Sequence, residues 1–236
     1  MMYNNTMPIY KKIDKSFFKK WTAEMAYVLG FFAADGTMVK NNRGAHFIEF
    51  HVTDKEILIK VKQVLKAEHK ISIRDRKHKD WKTGYRLQIG SKEFFNDLLS
   101  YGFTPNKSLK MKLPSIPNVY LGDFVRGYFD GDGCVYFKKH FVKVRRKCRW
   151  VFSTRFTSGS KSFLQSLKGR LSLIVEGGAI HAKSNKRGFE LVFSHKDSVA
   201  LYELMYHNNC HNLYLKRKYK LFSKAVRTLY GDKLRV

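Results

Sequence analysis

Hydrophobic and polar positions change their spacing repeatedly along the first half of the chain. Residues 23–35, AEMAYVLGFFAAD, are apolar on almost every side, which predicts a helix that is buried all round. The segments after it alternate between strand-like and helical spacing. They are the strands GTMVK and AHFIEFHV, the helix TDKEILIKVKQVL, the strands ISIRDR and YRLQIG, and the helix SKEFFNDLLSYG.

The second half repeats this order. YLGDFVRGYFDGDG predicts a second buried helix. After it come the strands CVYFKK and RWVFSTRFTS, the helix SKSFLQSLKGRL, the strands AIHAK and FELVFS, and the helices KDSVALYELMY and LYLKRKYKLFSKAVRTL. The halves align at nearly fixed offsets, and a longer first hairpin in the second half causes most of the drift. The fold class predicted is therefore α+β, with two pseudo-symmetric αββαββα repeats and antiparallel sheets.

A proline-rich and lysine-rich segment, TPNKSLKMKLPSIP, separates the halves and is typical of a connector. The predicted organisation is an N-terminal extension (1–20), a first repeat (21–104), a linker (105–118) and a second repeat (119–236).

Charge narrows the class of partner. The 236 residues include 46 Lys and Arg against 19 Asp and Glu, which gives a net charge of +27 and favours a polyanion, with nucleic acid first. The basic residues are spread over the whole chain, which argues against a membrane partner. The three cysteines, Cys134, Cys148 and Cys210, are widely spaced, so neither a disulfide framework nor a zinc site is indicated. We expect an intracellular, reducing location, in a cytoplasm or an organelle, and no secretion.

Small residues recur four apart in both buried helices, at Ala26, Gly30 and Ala34 in the first and at Gly127 and Gly131 in the second. Residues four apart lie on one helix face, and small ones let two backbones approach closely. We therefore predict that the two helices cross at Gly30 and Gly127.

Each buried helix ends in Asp-Gly, at Asp35 and at Asp132. The glycine suits a left-handed cap, whereas a carboxylate is disfavoured at a helix C-terminus, where the macrodipole is already negative. Two such ends side by side need a cation, and a divalent metal such as Mg²⁺ fits. Asp-Gly is also a common turn dipeptide, but two copies in matched contexts favour the metal interpretation.

VLGFFAADG and VRGYFDGDG resemble the two motifs of a LAGLIDADG homing endonuclease of the single-chain, two-repeat kind, and the likeness runs from about Trp21 onwards. The resemblance implies that the antiparallel sheets form a DNA-binding saddle, packed through the two LAGLIDADG helices. It also implies that Asp35 and Asp132 bind divalent metal at the cleavage centre, Mg²⁺ with Mn²⁺ or Ca²⁺ as alternatives. The sixth motif residue is Asp130 in the second copy but Ala33 in the first, a departure that bears on local capping or polarity.

The same resemblance implies four further catalytic positions. A polar residue just after the second strand, which would hold water near the metal, is Asp54 in the first repeat and Ser160 in the second; plain helix N-capping is the alternative. A basic residue near the scissile phosphate is Lys107 in the first repeat and Lys218 in the second. The alternatives are that these are ordinary surface lysines, or that Arg217 takes the place of Lys218.

Sequence reading by the protein is expected on the outward faces of the strands, because Arg pairs with guanine and Asn or Gln with adenine in the major groove. The candidates are Val39, Asn41, Arg43, Glu49, His51, Arg74, Arg76, Arg86 and Gln88 in the first repeat, and Tyr136, Lys138, Ser153, Arg155, Thr157, His181, Lys183 and Glu190 in the second. A solvated strand face is the alternative for each. The two sets differ, which predicts an asymmetric target.

The function that the resemblance implies is that of a monomeric, Mg²⁺-dependent endonuclease. It would hydrolyse phosphodiester bonds in both strands of a long asymmetric DNA target, leave short 3′ overhangs and be encoded in a mobile intron. One alternative is a maturase that binds intron RNA. The other is a DNA-binding regulator without catalysis. Retention of both Asp35 and Asp132 argues against the regulator but not against the maturase.

Overall fold

The computed structural model describes residues 11–74, 82–184, 187–206 and 212–231. Arg76, a predicted DNA contact, and Cys210 lie outside these ranges. Cys134 and Cys148 are free and exposed. Among the helices of the described ranges, none has the length and apolar character to cross a bilayer.

The first repeat contains every predicted element in the predicted order. Its elements are α1 (Ala23–Asp35), β1 (Gly36–Lys40), β2 (His46–Val52), α2 (Lys55–Val64), β3 (Ile71–Arg74), β4 (Gly84–Gly90) and α3 (Lys92–Ser100). The connector contains short 3₁₀ turns at Lys107–Leu109 and Asn118–Tyr120. The predicted domain boundaries themselves stay predictions.

The second repeat has the same order and adds one helix. Its elements are α4 (Leu121–Asp132), β5 (Gly133–Val142), β6 (Lys147–Ser158), α5 (Lys161–Leu171), β7 (Ala179–Ala182), β8 (Phe189–Ser194), α6 (His195–Tyr206) and α7 (Lys216–Tyr230). The hairpin β5–β6 is longer than predicted, because both strands continue toward a 3₁₀ turn at Lys143–Arg145. The two αββαββα repeats are confirmed.

Each repeat forms a four-stranded antiparallel sheet, in the order β1-β2-β4-β3 in the first and β5-β6-β8-β7 in the second. Phe50 pairs with Leu87 and Ile48 with Ile89, and all four side chains are buried. The positions between them carry polar side chains such as Gln88 on the other face. This alternation gives each sheet one face against the core and one polar face.

Helices α1 and α4 cross with their backbones in contact. A Cβ on Gly30 would collide with the carbonyl oxygen of Phe124, and a Cβ on Gly127 would collide with that of Tyr27. The residues of α1 from Met25 to Ala33 are all buried. Gly30 and Gly127 occupy equivalent positions in the two repeats, so the crossing lies on the pseudo-twofold axis that relates them.

The glycines after the two helices do not adopt the predicted left-handed cap. Gly36 has φ −87° and Gly133 has φ −99°, both in extended backbone. A Cβ on Gly36 would overlap the ring of Phe32, and one on Gly133 would overlap the ring of Phe129. Glycine is therefore needed here for close packing on an aromatic ring, and the prediction about its conformation was wrong.

Candidate functional site

The two motif carboxylates lie at the same end of the helix crossing. Asp35 is the last residue of α1 and Asp132 the last of α4, and both are half-buried. A Cβ on Gly131 would lie 3.1 Å from Oδ2 of Asp35 and against the Cβ of Ala34. The missing side chain at Gly131 therefore lets the Asp35 carboxylate approach the end of α4.

Burial and mutual repulsion make this pair of carboxylates receptive to a cation. Burial, followed by the charge of Asp132, raises the pKa of Asp35 to about 7. Burial also raises the pKa of Asp132, against the opposing effect of nearby Lys107 and Lys218. A bound cation would relieve both effects.

The donor set fits Mg²⁺, which proteins commonly bind through one or two carboxylates while water and phosphate oxygens complete the octahedron. Among the described residues, no group of three or more His, Cys, Asp or Glu side chains is placed to hold a metal. Asp35 and Asp132 would therefore be the acidic ligands, and further positions would be available to water or substrate.

Lys107 and Lys218 lie under the ends of the two crossing helices. The Lys107 ammonium donates a hydrogen bond of 2.8 Å to the carbonyl oxygen of Ala33. The Lys218 ammonium donates to the carbonyl oxygens of Phe129, at 2.7 Å, and Gly133, at 2.6 Å, among others. Cations placed there offset the negative ends of the helix dipoles. These lysines therefore supply part of the positive charge at the acidic helix ends that the sequence analysis had assigned to a metal ion.

These two lysines are not ordinary surface residues, since Lys107 is 6% exposed and Lys218 is 8% exposed. Burial lowers the pKa of each to about 8, while the neighbouring carboxylates oppose the shift. Their position behind the carboxylates is compatible with the predicted electrostatic role. Contact with a scissile phosphate stays a prediction.

Asp54 and Arg217 form an ion pair beside Asp35. Asp54 is at the N-cap position of α2, yet within the described residues its side chain makes no capping hydrogen bond. Arg217, in the first turn of α7, donates from Nη2 to Oδ2 of Asp54 at 2.8 Å and from Nε at 3.1 Å. The Arg217 side chain is 59% exposed. Arg217 thus faces solvent, whereas its sequence neighbour Lys218 points into the protein.

A cavity of about 220 Å³ brings the residues on this side together. Its walls include Asp35, His51, Asp54, Gly131 and Arg217. The charge of Asp54 adds a smaller upward effect on the pKa of Asp35, after burial and Asp132. Three of the predicted site residues, Asp35, Asp54 and His51, therefore share one cavity.

Ser160, the predicted counterpart of Asp54, is a helix cap. Its Oγ accepts a hydrogen bond of 3.2 Å from the backbone N–H of Phe163 and donates one of 2.7 Å to the carbonyl oxygen of Met111. Its side chain is buried. The capping alternative therefore describes Ser160 but not Asp54.

Asp130 ties the crossing to the segment before α7. Its Oδ2 accepts hydrogen bonds from the hydroxyl of Tyr27, at 2.8 Å, and from the backbone N–H of Leu215, at 2.9 Å. Burial raises the pKa of Asp130 to about 6. The first repeat has Ala33 at the equivalent position, so this bridge has no symmetric copy.

In the first sheet the outward polar residues form a network around Glu49. Its carboxylate accepts hydrogen bonds from Gln88 and from the ring of His51, the latter at 2.7 Å, and Arg86 lies 3.9 Å away. Arg74, at the end of β3, is exposed. A DNA base that bonded Gln88 or Arg86 would compete with Glu49 for the same donors.

The first hairpin is fixed by one of the predicted contacts. Oδ1 of Asn41 accepts hydrogen bonds from the backbone N–H groups of Arg43, at 3.0 Å, and Ala45, at 2.8 Å. Val39 is half-buried and pairs with Phe47. Asn41 therefore shapes the turn, and Arg43 is the exposed cation that it presents.

In the second sheet Arg155 contacts two of the other predicted DNA-binding residues. Its guanidinium lies 3.9 Å from the carboxylate of Glu190 and packs over the ring of Tyr136, with 5.4 Å from Cζ to the ring centroid. Lys138 also lies beside Tyr136, 5.9 Å from the ring centroid, and is exposed. His181 pairs with Glu190 across β7 and β8.

The other predicted contacts of this sheet vary in exposure. Oγ1 of Thr157 donates a hydrogen bond of 2.9 Å to the carbonyl oxygen of Asp132, so Thr157 supports the site directly. Ser153 is buried, and Lys183 follows β7 and is half-buried.

Two outward-facing residues near the carboxylates were not among the DNA contacts predicted from the sequence. Thr37 and Cys134 each follow the Asp-Gly step, are exposed, and pair with Glu49 and Arg155 respectively. Strand alternation counted from the glycine would have found both. The pairing of Asp54 with Arg217 gave no comparable signal, since 163 residues separate them.

Comparison with known proteins gives a family match for the first repeat. Residues 22–101 match the model of the LAGLIDADG-like domain. No curated protein matches the chain in sequence.

Three solved structures have the same fold over nearly their whole length. The LAGLIDADG homing endonuclease I-SmaMI bound to cleaved DNA gives a TM-score of 0.59 at 13% identity and covers 88% of this chain and 88% of its own. I-WcaI bound to its DNA recognition sequence gives 0.58 at 17%, covering 86% and 89%. I-LtrWI bound to target DNA gives 0.56 at 12%, covering 92% of each chain.

At these low identities the structural similarity supports the fold alone, and the family match concerns the first repeat. Residues 22–101 are therefore similar to a LAGLIDADG-like domain, and the chain as a whole has the fold of the LAGLIDADG homing endonucleases.

Proposed function

We propose that this protein is a site-specific, divalent-metal-dependent endonuclease that cuts both strands of duplex DNA as a monomer. The observation that carries the proposal is the pair of half-buried carboxylates, Asp35 and Asp132, at one end of the helix crossing between two polar sheets. The net charge of +27 supplies attraction to a polyanion. I-SmaMI, I-WcaI and I-LtrWI, which have this fold, are bound to DNA in the three similar structures, and this supports the same substrate.

The chain's own residues supply positioning and charge. Asp35 and Asp132 would hold Mg²⁺, which when bound lowers the pKa of a water molecule and stabilises the leaving oxygen. Lys107 and Lys218 bind the carbonyl oxygens at the helix ends, so the helix dipoles add less repulsion to the charge of the two carboxylates. Arg217 presents an exposed guanidinium beside Asp35, where it can neutralise a phosphate.

Asp54 acts as a positioning residue for Arg217. The ion pair fixes the guanidinium at the rim of the cavity that contains Asp35. A preorganised cation stabilises developing charge better than a mobile one, because no reorganisation is needed during the reaction. This arrangement exists beside Asp35 alone within the described residues, since Ser160 occupies the matching position in the second repeat.

The two sheets would each cover one half of the target. Their outward residues differ, with the Glu49 network in the first and Arg155 with Tyr136 in the second. We therefore infer a long, asymmetric target. From the resemblance to LAGLIDADG homing endonucleases we further propose that it is cut to leave short 3′ overhangs and that the gene is carried in a mobile intron.

The DNA that flanks the gene tests this proposal, because the intronless junction is the predicted substrate. Purified protein should cut that junction in Mg²⁺ and should not cut it in EDTA. A protein carrying both Asp35→Asn and Asp132→Asn should bind the junction without cutting it. Failure of the wild type to cut, combined with tight binding of the intron RNA, would favour the maturase instead.

A further inference from the structure

The hairpin of β5 and β6 is twice as long as its counterpart in the first repeat. The ladder of β1 and β2 runs from Gly36–Phe50 to Lys40–His46, whereas the second runs ten pairs and ends at Val142–Lys147. The five extra pairs and their turn make up residues 138–151, called the basic ribbon below. At about 3.3 Å per residue the ribbon adds about 16 Å to the sheet.

The basic ribbon projects into solvent. From Lys138 to Arg149 every residue is exposed except Val142, which is half-buried. Val144, in the turn, is 96% exposed. An isolated two-stranded ribbon gains little stability from its own contacts. Core packing therefore does not account for the ribbon.

The charge of the ribbon is of one sign. Residues 138–151 contain seven Lys or Arg and no Asp or Glu. Like charges on facing strands repel, so this composition works against the ribbon in the free protein. A polyanion bound to it would reverse the effect.

Side-chain contacts hold the base of the ribbon where it leaves the sheet. The rings of Phe137 and Trp150 stack with centroids 4.3 Å apart and planes 10° from parallel. The Tyr136 hydroxyl and Nε2 of His140 are 2.6 Å apart. Tyr136, Lys138 and His140 are two residues apart along β5, so their side chains lie on the same face of the strand. The ribbon therefore continues the outward face of the second sheet.

The turn also presents cations. Arg146 has φ 44° and ψ 34°, a left-handed conformation that glycine and asparagine adopt more readily. Its neighbours Arg145 and Lys147 are exposed as well. The position that would favour a small residue is therefore occupied by an arginine.

We propose that the basic ribbon binds the phosphates of duplex DNA beyond the recognised target, on the side of the second repeat. The inference rests on the proposed function, because the second sheet must lie on DNA for the ribbon to follow it. A reach of about 16 Å corresponds to about five base pairs at 3.4 Å each. Charge and exposure, without paired donors and acceptors, indicate contacts that do not depend on sequence.

The test compares two variants of equal charge. The ribbon variant carries Arg145→Gln, Arg146→Gln and Lys147→Gln, all exposed positions whose change leaves the core intact. The control carries Lys92→Gln, Lys161→Gln and Lys224→Gln, three exposed lysines on α3, α5 and α7. Binding is measured in EDTA on the target with ten additional base pairs at one end, at the other end, or at neither.

The wild type should bind about 10-fold more tightly when the duplex extends past the second-repeat half, and extension at the other end should have little effect. The ribbon variant should lose this gain and flatten the salt dependence by about 2 to 3 units in slope. The control should keep the gain.

Three results would overturn the inference: a wild type that gains nothing from the extension, a ribbon variant that keeps the gain, or a control that loses it equally. Cleavage of the target by the wild type in Mg²⁺ is scored separately. The proposed function can therefore stand if the ribbon inference fails.

Discussion

The two carboxylates that meet at the crossing have different neighbours. Beside Asp35 lies Asp54, the residue before α2. Its carboxylate makes no capping hydrogen bond and pairs with Arg217 instead. In the second repeat the matching residue is Ser160, which is buried and hydrogen-bonded as a helix cap. The two repeats thus share the backbone fold and the motif aspartate, but the side chains around the two carboxylates differ.

Much of this difference comes from a helix that exists once. α7 follows the second repeat and reaches back to the first, where its first turn supplies Arg217 to Asp54. The residue before Lys107, equivalent to Arg217 before Lys218, is Asn106, which has φ 59° in the connector. One centre therefore has an exposed guanidinium that the other lacks.

The largest effect should come from the residues that the two centres share. Asp35→Asn or Asp132→Asn should reduce double-strand cleavage by about 10³-fold or more, because each would remove one of the two proposed metal ligands, while DNA binding remains within a few fold. Cleavage and gel-shift assays on the same duplex measure both. Either variant cutting both strands at a near wild-type rate would show that the carboxylates are not the metal ligands.

Equivalent substitutions in the two repeats at the helix crossing should destabilise the protein to a similar extent. Gly30→Leu and Gly127→Leu should each lower the free energy of unfolding by about 3 kcal/mol or more, since a side chain there meets backbone that cannot move aside. Gly169→Leu is the control, because a Cβ at Gly169 meets no described atom within 4 Å. Thermal or urea unfolding of the three variants would expose any asymmetry.

Strand-specific cleavage would sharpen the contrast between the centres. Arg217→Ala should slow cutting of one strand by about 10- to 100-fold and leave the other within about 3-fold. Lys216→Ala is a matched control, since Lys216 is the preceding residue and pairs with Glu56 at 3.0 Å, outside the cavity. Single-turnover assays with each strand end-labelled give the two rates. Equal slowing of both strands would mean that Arg217 serves binding alone.

The acidic pair should also make stability depend on pH. Because the pKa of Asp35 is raised to about 7 in the fold from 3.8, the metal-free protein holds a proton that the unfolded chain releases. Stability should therefore fall, by about 1 to 3 kcal/mol, as pH rises from about 4 to about 7. Asp35→Asn should reduce this fall, and Mg²⁺ should oppose it. Urea titrations in EDTA across this range provide the measurement, and a rise in stability would contradict the assignment.

Base reading should be confined to one half of the target. Arg74→Ala should cost about 1 to 2 kcal/mol of binding and relax preference at one or two positions in the half under the first repeat. Lys40→Ala, on the same repeat, should weaken all sequences alike. A profile over all single-base variants separates these outcomes, and equal changes in both halves would contradict the strand-face assignment.

The fold could be predicted from the sequence because its determinants are local. Apolar spacing gave every helix and strand, and the small residues at Gly30 and Gly127 gave the crossing. Gly36 could not be interpreted correctly, since its role depends on the ring of Phe32 rather than on its own backbone angles. The orientation of Lys218 and the partner of Arg217 depend on how α7 docks, which no local pattern encodes.

The hydrogen bond between Tyr27 and Asp130 favours pairing of one half with the other over pairing of identical halves. Two copies of the first repeat would place Tyr27 opposite Ala33, leaving its hydroxyl buried without an acceptor. Two copies of the second would place Asp130 opposite Phe124, the equivalent of Tyr27, leaving a buried carboxylate without that donor. If the halves were expressed as separate polypeptides, the mixed heterodimer should form in preference to either homodimer.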